Sequence, residues 1–209
     1  MHVLRLDRKR WTLRHVTAQE TGKKLSDAAE FRTAAKAVAA VNGIYFDPEY
    51  RPLGLMVSEG KQQSPLRRVD HGVFTIADDG PGLQHAKRWR RPAGLRFAAE
   101  CGPRLVVDGA PLSFKPGLAR RTAIGFDAEG RVYLVVTSGV IGLNELAAFL
   151  ARDKGGLKLR GALNLDGGSS TMFDLHVADL RRSVRSAVLV PTGVAVVPVN
   201  GNRDTSDAH

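Results

Sequence analysis

Four times before residue 140 the chain runs a short alternation of apolar and polar residues into a glycine turn and back. The segments are "LGLMVSEGKQQS" (53–64), "GVFTIADDGPGLQHA" (72–86), "RLVVDGAPL" (104–112) and "TAIGFDAEGRVYLVVT" (122–137). A period of two with glycine at the turn is the pattern of an antiparallel hairpin. Parallel strands need long crossovers, usually helical, so these close returns exclude a repeating βαβ sheet. A fifth hairpin is expected from "HVLRL" (2–6) and "WTLRHVT" (11–17) about "DRKR".

Two segments carry helical signals instead. "SDAAEFRTAAKAV" (26–38) is alanine-rich, with Ser26 placed to cap it. "LNELAAFLARDKG" (143–155) puts Leu146, Phe149 and Leu150 on one face, with Asn144 as cap and Gly155 as stop. "AAVN" (39–42) is expected as a buried strand broken by Gly43, and "LNLD", "TMFDL" and "TGVAVVPV" as late strands. The stretch 80–96 is the best candidate for a long loop. These elements predict an α+β fold: one domain over 1–198, a mixed or antiparallel sheet rich in hairpins, two main helices, and a flexible tail over 199–209.

Charge narrows the partners. Lys plus Arg number 31 against 21 Asp plus Glu, a net charge of +10. Such an excess concentrates anions, whether nucleic acid, anionic lipid or phosphorylated small molecules. The single cysteine, Cys101, excludes an internal disulfide and a cysteine-rich metal site. No apolar run approaches the ~20 residues of a membrane-spanning helix. The opening "MHVLRLDRKR" has no apolar core of a signal peptide.

Four places could carry chemistry. In "ALNLDGGSSTMF" (162–173) a carboxylate, Asp166, follows a buried apolar run. Gly167 and Gly168 let the backbone turn sharply, successive amides there can form an anion-binding concavity, and Ser169, Ser170 and Thr171 add hydroxyls. The competing explanation is a tight turn whose Asp accepts its own amides. In "LARRTAIGF" (118–126) Arg121 opens a strand; its guanidinium fork matches phosphate or carboxylate, although a solvated edge arginine fits the same pattern. Asn42 ends its strand where its amide could orient a ligand hydroxyl or support a turn. Glu100, ahead of Cys-Gly-Pro, is either a second carboxylate or a surface acid.

Taken together and in order, "AAVNGIYFDPEYRPLGLMVSEGK", "GPRLVVDG", "RRTAIGFDAEGRVYLVV", "NLDGGSSTMF" and "PTGVAVVP" resemble the phosphodiester glycosidase family over nearly the whole chain. The resemblance implies hydrolysis of a sugar-1-phosphodiester, of the N-acetylglucosamine-1-phosphodiester kind, at its glycosidic bond. It places Asn42, Arg121, Thr122, Asp166, Gly167, Gly168, Ser169 and Ser170 around one pocket. In that pocket Asp166 is expected to be the catalytic carboxylate, as nucleophile, base or electrostatic stabiliser, and Arg121 with the 167–170 loop is expected to hold the phosphodiester. Glu100 and Cys101 depart from it, standing where a neutral polar residue and a small hydroxyl residue are expected. The implied partner is a small sugar phosphodiester or glycan, with no specific nucleic acid and no cofactor. A bacterial, exported protein, periplasmic or extracellular, fits the family's habit.

Three rivals draw on other residues. "KRWRR" (87–91), with the arginine pairs at 67 and 181, could bind nucleic acid, Trp89 stacking on a base; a solvated loop with its tryptophan packed down is the preferred alternative. Cys101 with one of six histidines could form a hydrolytic dyad. Asp166, Asn42 and nearby hydroxyls offer oxygen ligands to a hard cation such as calcium, without an acidic cluster to support them.

Overall fold

In a computed structural model of the chain, which describes residues 1–199, the hairpin signals become antiparallel sheets. A six-stranded sheet runs in the order β1 (His2–Leu6), β13 (Val132–Val136), β12 (Thr122–Asp127), β15 (Leu159–Asn164), β9 (Arg104–Val107), β10 (Ala110–Pro111). A five-stranded sheet has the order β17 (Leu180–Val184), β16 (Phe173–Val177), β3 (Ala39–Asn42), β18 (Thr192–Pro198), β2 (Trp11–Thr17). A second five-stranded sheet joins β5 (Lys61–Ser64), β4 (Met56–Ser58), β8 (Phe97–Cys101), β6 (Gly72–Ala77), β7 (Gly80–His85). A short pair, β11 (Leu118–Ala119) and β14 (Ile141–Gly142), lies apart. The helices are α1 (Ala28–Ala34) and α2 (Leu143–Ala151), so the fold class is α+β as expected.

The three large sheets share one core. Ile124 and Leu134 from the first, Val41 and Val194 from the second, and Phe74 and Phe97 from the third meet in a single apolar cluster. Alternate residues point the other way and are covered too. Val135 and Ala162 pack under Leu146 and Leu150 of α2. Ala40 and Ala195 pack under Phe31 of α1. Val57, Val73 and Ala98 are covered by Leu66, Ala86, Trp89 and Leu95. Burial on both faces explains strands as uniformly apolar as "VYLVV".

Four hairpins form as read. The turns at Glu59-Gly60 and Asp108-Gly109 have positive φ at both residues (51° and 79°; 51° and 83°), the geometry that matches strand twist. The fifth does not form. β1 pairs with β13 and β2 with β18, in different sheets. The Asp7 carbonyl accepts the amides of Arg10 and Trp11 and turns the chain out of one sheet into the next. Alternation reports which face is buried, not which strand lies alongside.

Other expectations are corrected in detail. The cap of α1 is Asp27, whose carboxylate accepts the Glu30 amide at 2.9 Å, while Ser26 bridges to Val190. Gly142 precedes α2, and Asn144 exchanges hydrogen bonds with the backbone of Phe114 instead. That helix stops at Ala151, short of Gly155. In 80–96 only the part after Arg88 is loop, because β7 and a single 3₁₀ turn occupy the start. Val199 donates its amide to the Arg10 carbonyl; the rest of the expected tail, 200–209, lies outside the described residues. No described helix is long and apolar enough to cross a membrane.

One close approach fixes how α1 sits. A Cβ built on Gly193 of β18 comes within 2.6 Å of the Phe31 ring and 2.9 Å of the Val41 carbonyl. Gly193→Ala is therefore expected to lose about 1–3 kcal/mol of stability through overpacking, measured as a lower urea midpoint. An unchanged midpoint would show that Phe31 can move aside.

Candidate active site

The chain leaves β15 at Asn164, passes the buried Leu165, and reaches Asp166 at the rim of the six-stranded sheet. A 3₁₀ turn over Gly168–Ser170 follows, and Gly168 takes φ +61°, a conformation that favours glycine. The Asp166 carboxylate accepts the Gly167 amide at 2.9 Å and a hydrogen bond from the Ser170 side chain. Burial raises its pKa above the ordinary 3.8, and these two bonds only partly oppose that.

Asn42 holds this loop from beneath. Its Nδ2 donates to the Asp166 carbonyl at 2.6 Å, and its Oδ1 accepts the Thr122 hydroxyl at 2.7 Å and the Met172 amide at 3.2 Å. Asn42 and Thr122 are both 0% exposed, so their polar atoms serve the protein. The loop's amides are largely engaged as well. Gly167 bonds to Asp166, Gly168 to the Arg120 carbonyl at 2.8 Å, and Ser170 to the Gly167 carbonyl at 3.2 Å. Ser169 is exposed at the tip.

Arg121 runs alongside. A Cβ on Gly167 would stand 4.0 Å from its Cα and Cδ. Its guanidinium donates to the Gly117 carbonyl at 3.1 Å and the Ile141 carbonyl at 3.4 Å, which aims it while leaving donors over. Arg120 is half-buried and bonds to the Arg185 carbonyl.

Two residues not singled out from the sequence complete the cluster. The Tyr45 hydroxyl donates to the Gly102 carbonyl at 2.5 Å, which also accepts Asn164 Nδ2 at 3.1 Å. Burial pushes the Tyr45 phenol well up, and the negative charge at Asp166 adds to this while Arg121 opposes it. One phenol thus feels both Asp166 and Arg121. Tyr45 was visible in "NGIYF", and Asn164 stands two residues before Asp166, but neither has a spacing that marks it.

Glu100 is no surface acid. It is 0% exposed, on the outer face of β8, and its Oε2 accepts the amides of Leu55 at 2.8 Å and Arg67 at 2.9 Å. Cys101 points the opposite way into the shared core, and burial pushes its thiol up to about 12. A thiol held neutral in the core is no nucleophile, which removes the cysteine dyad. Among the described residues no group of three or more His, Cys, Asp or Glu could hold a metal. A basic concavity lies elsewhere, lined by Arg68, Lys87, Arg88, Trp89 and Arg90, with Trp89 packed down on the cluster around Leu55.

A family model for phosphodiester glycosidases matches residues 35–197, and the chain belongs to that family. An uncharacterised Escherichia coli K12 protein, YigE, is 25% identical over 158 residues, covering 69% of this chain. The chain spans only 61% of that relative's length. Among solved structures it is similar to the zebrafish N-acetylglucosamine-1-phosphodiester alpha-N-acetylglucosaminidase catalytic domain, auto-inhibited by pro-peptide. That match has a TM-score of 0.70 and 19% identity, over 93% of this chain and 76% of the other. It is also similar to a putative exported protein of Burkholderia pseudomallei K96243, with a TM-score of 0.65 and 14% identity, over 94% and 73% of the two chains. These likenesses show the same fold.

Two measurements follow. Asn42→Ala strands the Thr122 hydroxyl and the Met172 amide, so a loss of about 1–3 kcal/mol for each is expected by chemical denaturation. For Asp166 the folded-state pKa lies above 3.8, so ionisation is opposed by the fold and stability falls as pH rises through that raised value. Asp166→Asn should therefore melt above the parent at neutral pH, with the gap closing as pH is lowered toward 3.8. A gap that widens on acidification would contradict the desolvation.

Proposed function

We propose that the protein is a glycosidase that hydrolyses the glycosidic bond of a sugar-1-phosphodiester, of the N-acetylglucosamine-1-phosphodiester kind. The observation that carries this is a partly desolvated carboxylate, Asp166, whose neighbour Gly167 lies against Arg121, in a chain that belongs to the phosphodiester glycosidase family. Glycosidic cleavage develops positive charge on the sugar, and a carboxylate in a low-dielectric cleft stabilises it strongly. Arg121, with the exposed Ser169 at the tip of the turn, holds the single negative charge of the phosphodiester. A phosphate oxygen is a weak base, so the leaving group departs without strong help from a general acid. Asn42 and Thr122 contribute by position, fixing the backbone of Asp166 rather than touching the sugar. The substrate is a small sugar phosphodiester or glycan, and the family's habit favours an exported bacterial protein.

The test is a turnover panel: sugar-1-phosphodiesters with a chromogenic leaving group, plain glycosides, and phosphodiesters lacking a sugar. Free sugar is expected only from the first set. Asp166→Asn and Arg121→Ala, both folded, should each lose about 10²-fold or more. Cleavage of the sugarless phosphodiesters would move the scissile bond to phosphorus and overturn the mechanism.

A further inference from the structure

Glu100 holds one oxygen in reserve. Oε2 takes two backbone amides, while Oε1 is buried with no hydrogen-bond partner. An unpaired carboxylate oxygen in the interior is costly unless something uses it. The atom facing it is Nδ1 of His71, at 3.7 Å, itself buried and without a partner. His71 immediately precedes β6, which pairs with β8. Its ring is 26% exposed, so the edge away from Glu100 opens outward. That edge lies toward Tyr45 and Gly102. The ring centroid is 5.8 Å from that of Tyr45, and Cδ2, bonded to Nε2, would stand 3.0 Å from a Cβ on Gly102. Glycine at 102 is what lets the ring approach. Gly102 is also the residue whose carbonyl accepts Tyr45 and Asn164.

Resting on the glycosidase reading, we propose that His71 is a further catalytic residue, a general base for the attacking water, and that Glu100 is its positioning residue. A carboxylate opposite Nδ1 favours the hydrogen on that nitrogen and leaves the Nε2 lone pair facing out. A 3.7 Å gap that shortens when substrate binds is usual for such pairs. In the step, Nε2 takes a proton from water as the water oxygen bonds to the anomeric carbon. The bond from that carbon to the phosphate oxygen breaks, and its electron pair leaves on the phosphate monoester. Asp166 faces the positive charge on the sugar throughout.

The test joins kinetics to nitrogen-15 NMR of the His71 ring. His71→Ala should lose about 10²-fold or more in kcat with little change in KM, and added imidazole should restore part of it. Glu100→Gln keeps an oxygen for the Leu55 and Arg67 amides but turns an NH₂ toward Nδ1, so the hydrogen moves to Nε2. It should lose activity comparably, and adding it to His71→Ala should cost little more. The wild-type ring should carry its hydrogen on Nδ1, and the Glu100→Gln ring on Nε2. Full activity in His71→Ala while Asp166→Asn is dead would overturn the role of His71 and leave the glycosidase reading standing. A wild-type ring with its hydrogen on Nε2 overturns the pairing whatever the kinetics. A wild type silent on every sugar-1-phosphodiester overturns the glycosidase reading, and the base with it.

Discussion

The side chain of Asn42 is the constraint around which the site is assembled. It stands at the end of β3, in one five-stranded sheet, and accepts a hydroxyl from Thr122 at the start of β12, in the six-stranded sheet. The same carboxamide fixes both ends of the Asp166 loop, through the Asp166 carbonyl and the Met172 amide. Each bond is worth about 1 kcal/mol when made and more when broken, because the stranded partner stays buried. A single carboxamide therefore ties two sheets together and holds the Asp166 loop between them. An apolar side chain of similar size could fill the space but could not hold the loop.

Three sheets packed on one core leave a rim where their strands end, and the polar cluster is built there. Asp166 and Asn164 come from the end of β15, Tyr45 from the segment after β3, Gly102 from the segment after β8, and Arg121 from the residue before β12. Apart from Asn164 and Asp166, no two of these supports are neighbours in the chain. Their common feature is a strand that has just stopped satisfying its backbone in the ladder, so side chains and carbonyls at the rim bond to one another instead. The Gly102 carbonyl, receiving both Tyr45 and Asn164, is one product of this. Desolvation at the rim then does the electrostatic work, since it raises Asp166 and Tyr45 while Arg121 is held close by backbone carbonyls.

The charge excess is organised in two ways. Some arginines are tied to carboxylates inside the fold, as Arg32 is to Asp174 and Arg131 to Asp127. Others gather without such partners: among the described residues no carboxylate pairs with Arg68, Lys87, Arg88 or Arg90. Four unpaired cations around one concavity attract anions at long range and are screened by salt. That surface shares the 66–72 segment with Glu100 and His71, through the amide of Arg67 and the carbonyl of His71. An anion would thus meet positive potential on the side of the molecule that carries the buried acid.

The sequence by itself determined which residues become strands and where most hairpins turn. These are local properties: alternation follows from a buried face, and "SEG" or "VDG" from the left-handed conformations a tight turn needs. It also marked Asp166, Arg121, Asn42 and Glu100 as worth attention, because acids and amides at the ends of apolar runs stand out against their neighbours. Tertiary structure alone decided the partners. It separated β1 from β2 into different sheets, and gave the cap of α1 to Asp27. It showed Glu100 as a buried acid facing His71, and turned Cys101 into core. The reason is physical. Hydrophobic periodicity encodes how deep a residue lies, but a hydrogen bond depends on an atom 33 residues away, as Arg67 is from Glu100, or 130, as Met172 is from Asn42, being within about 3 Å, and no local pattern carries that distance.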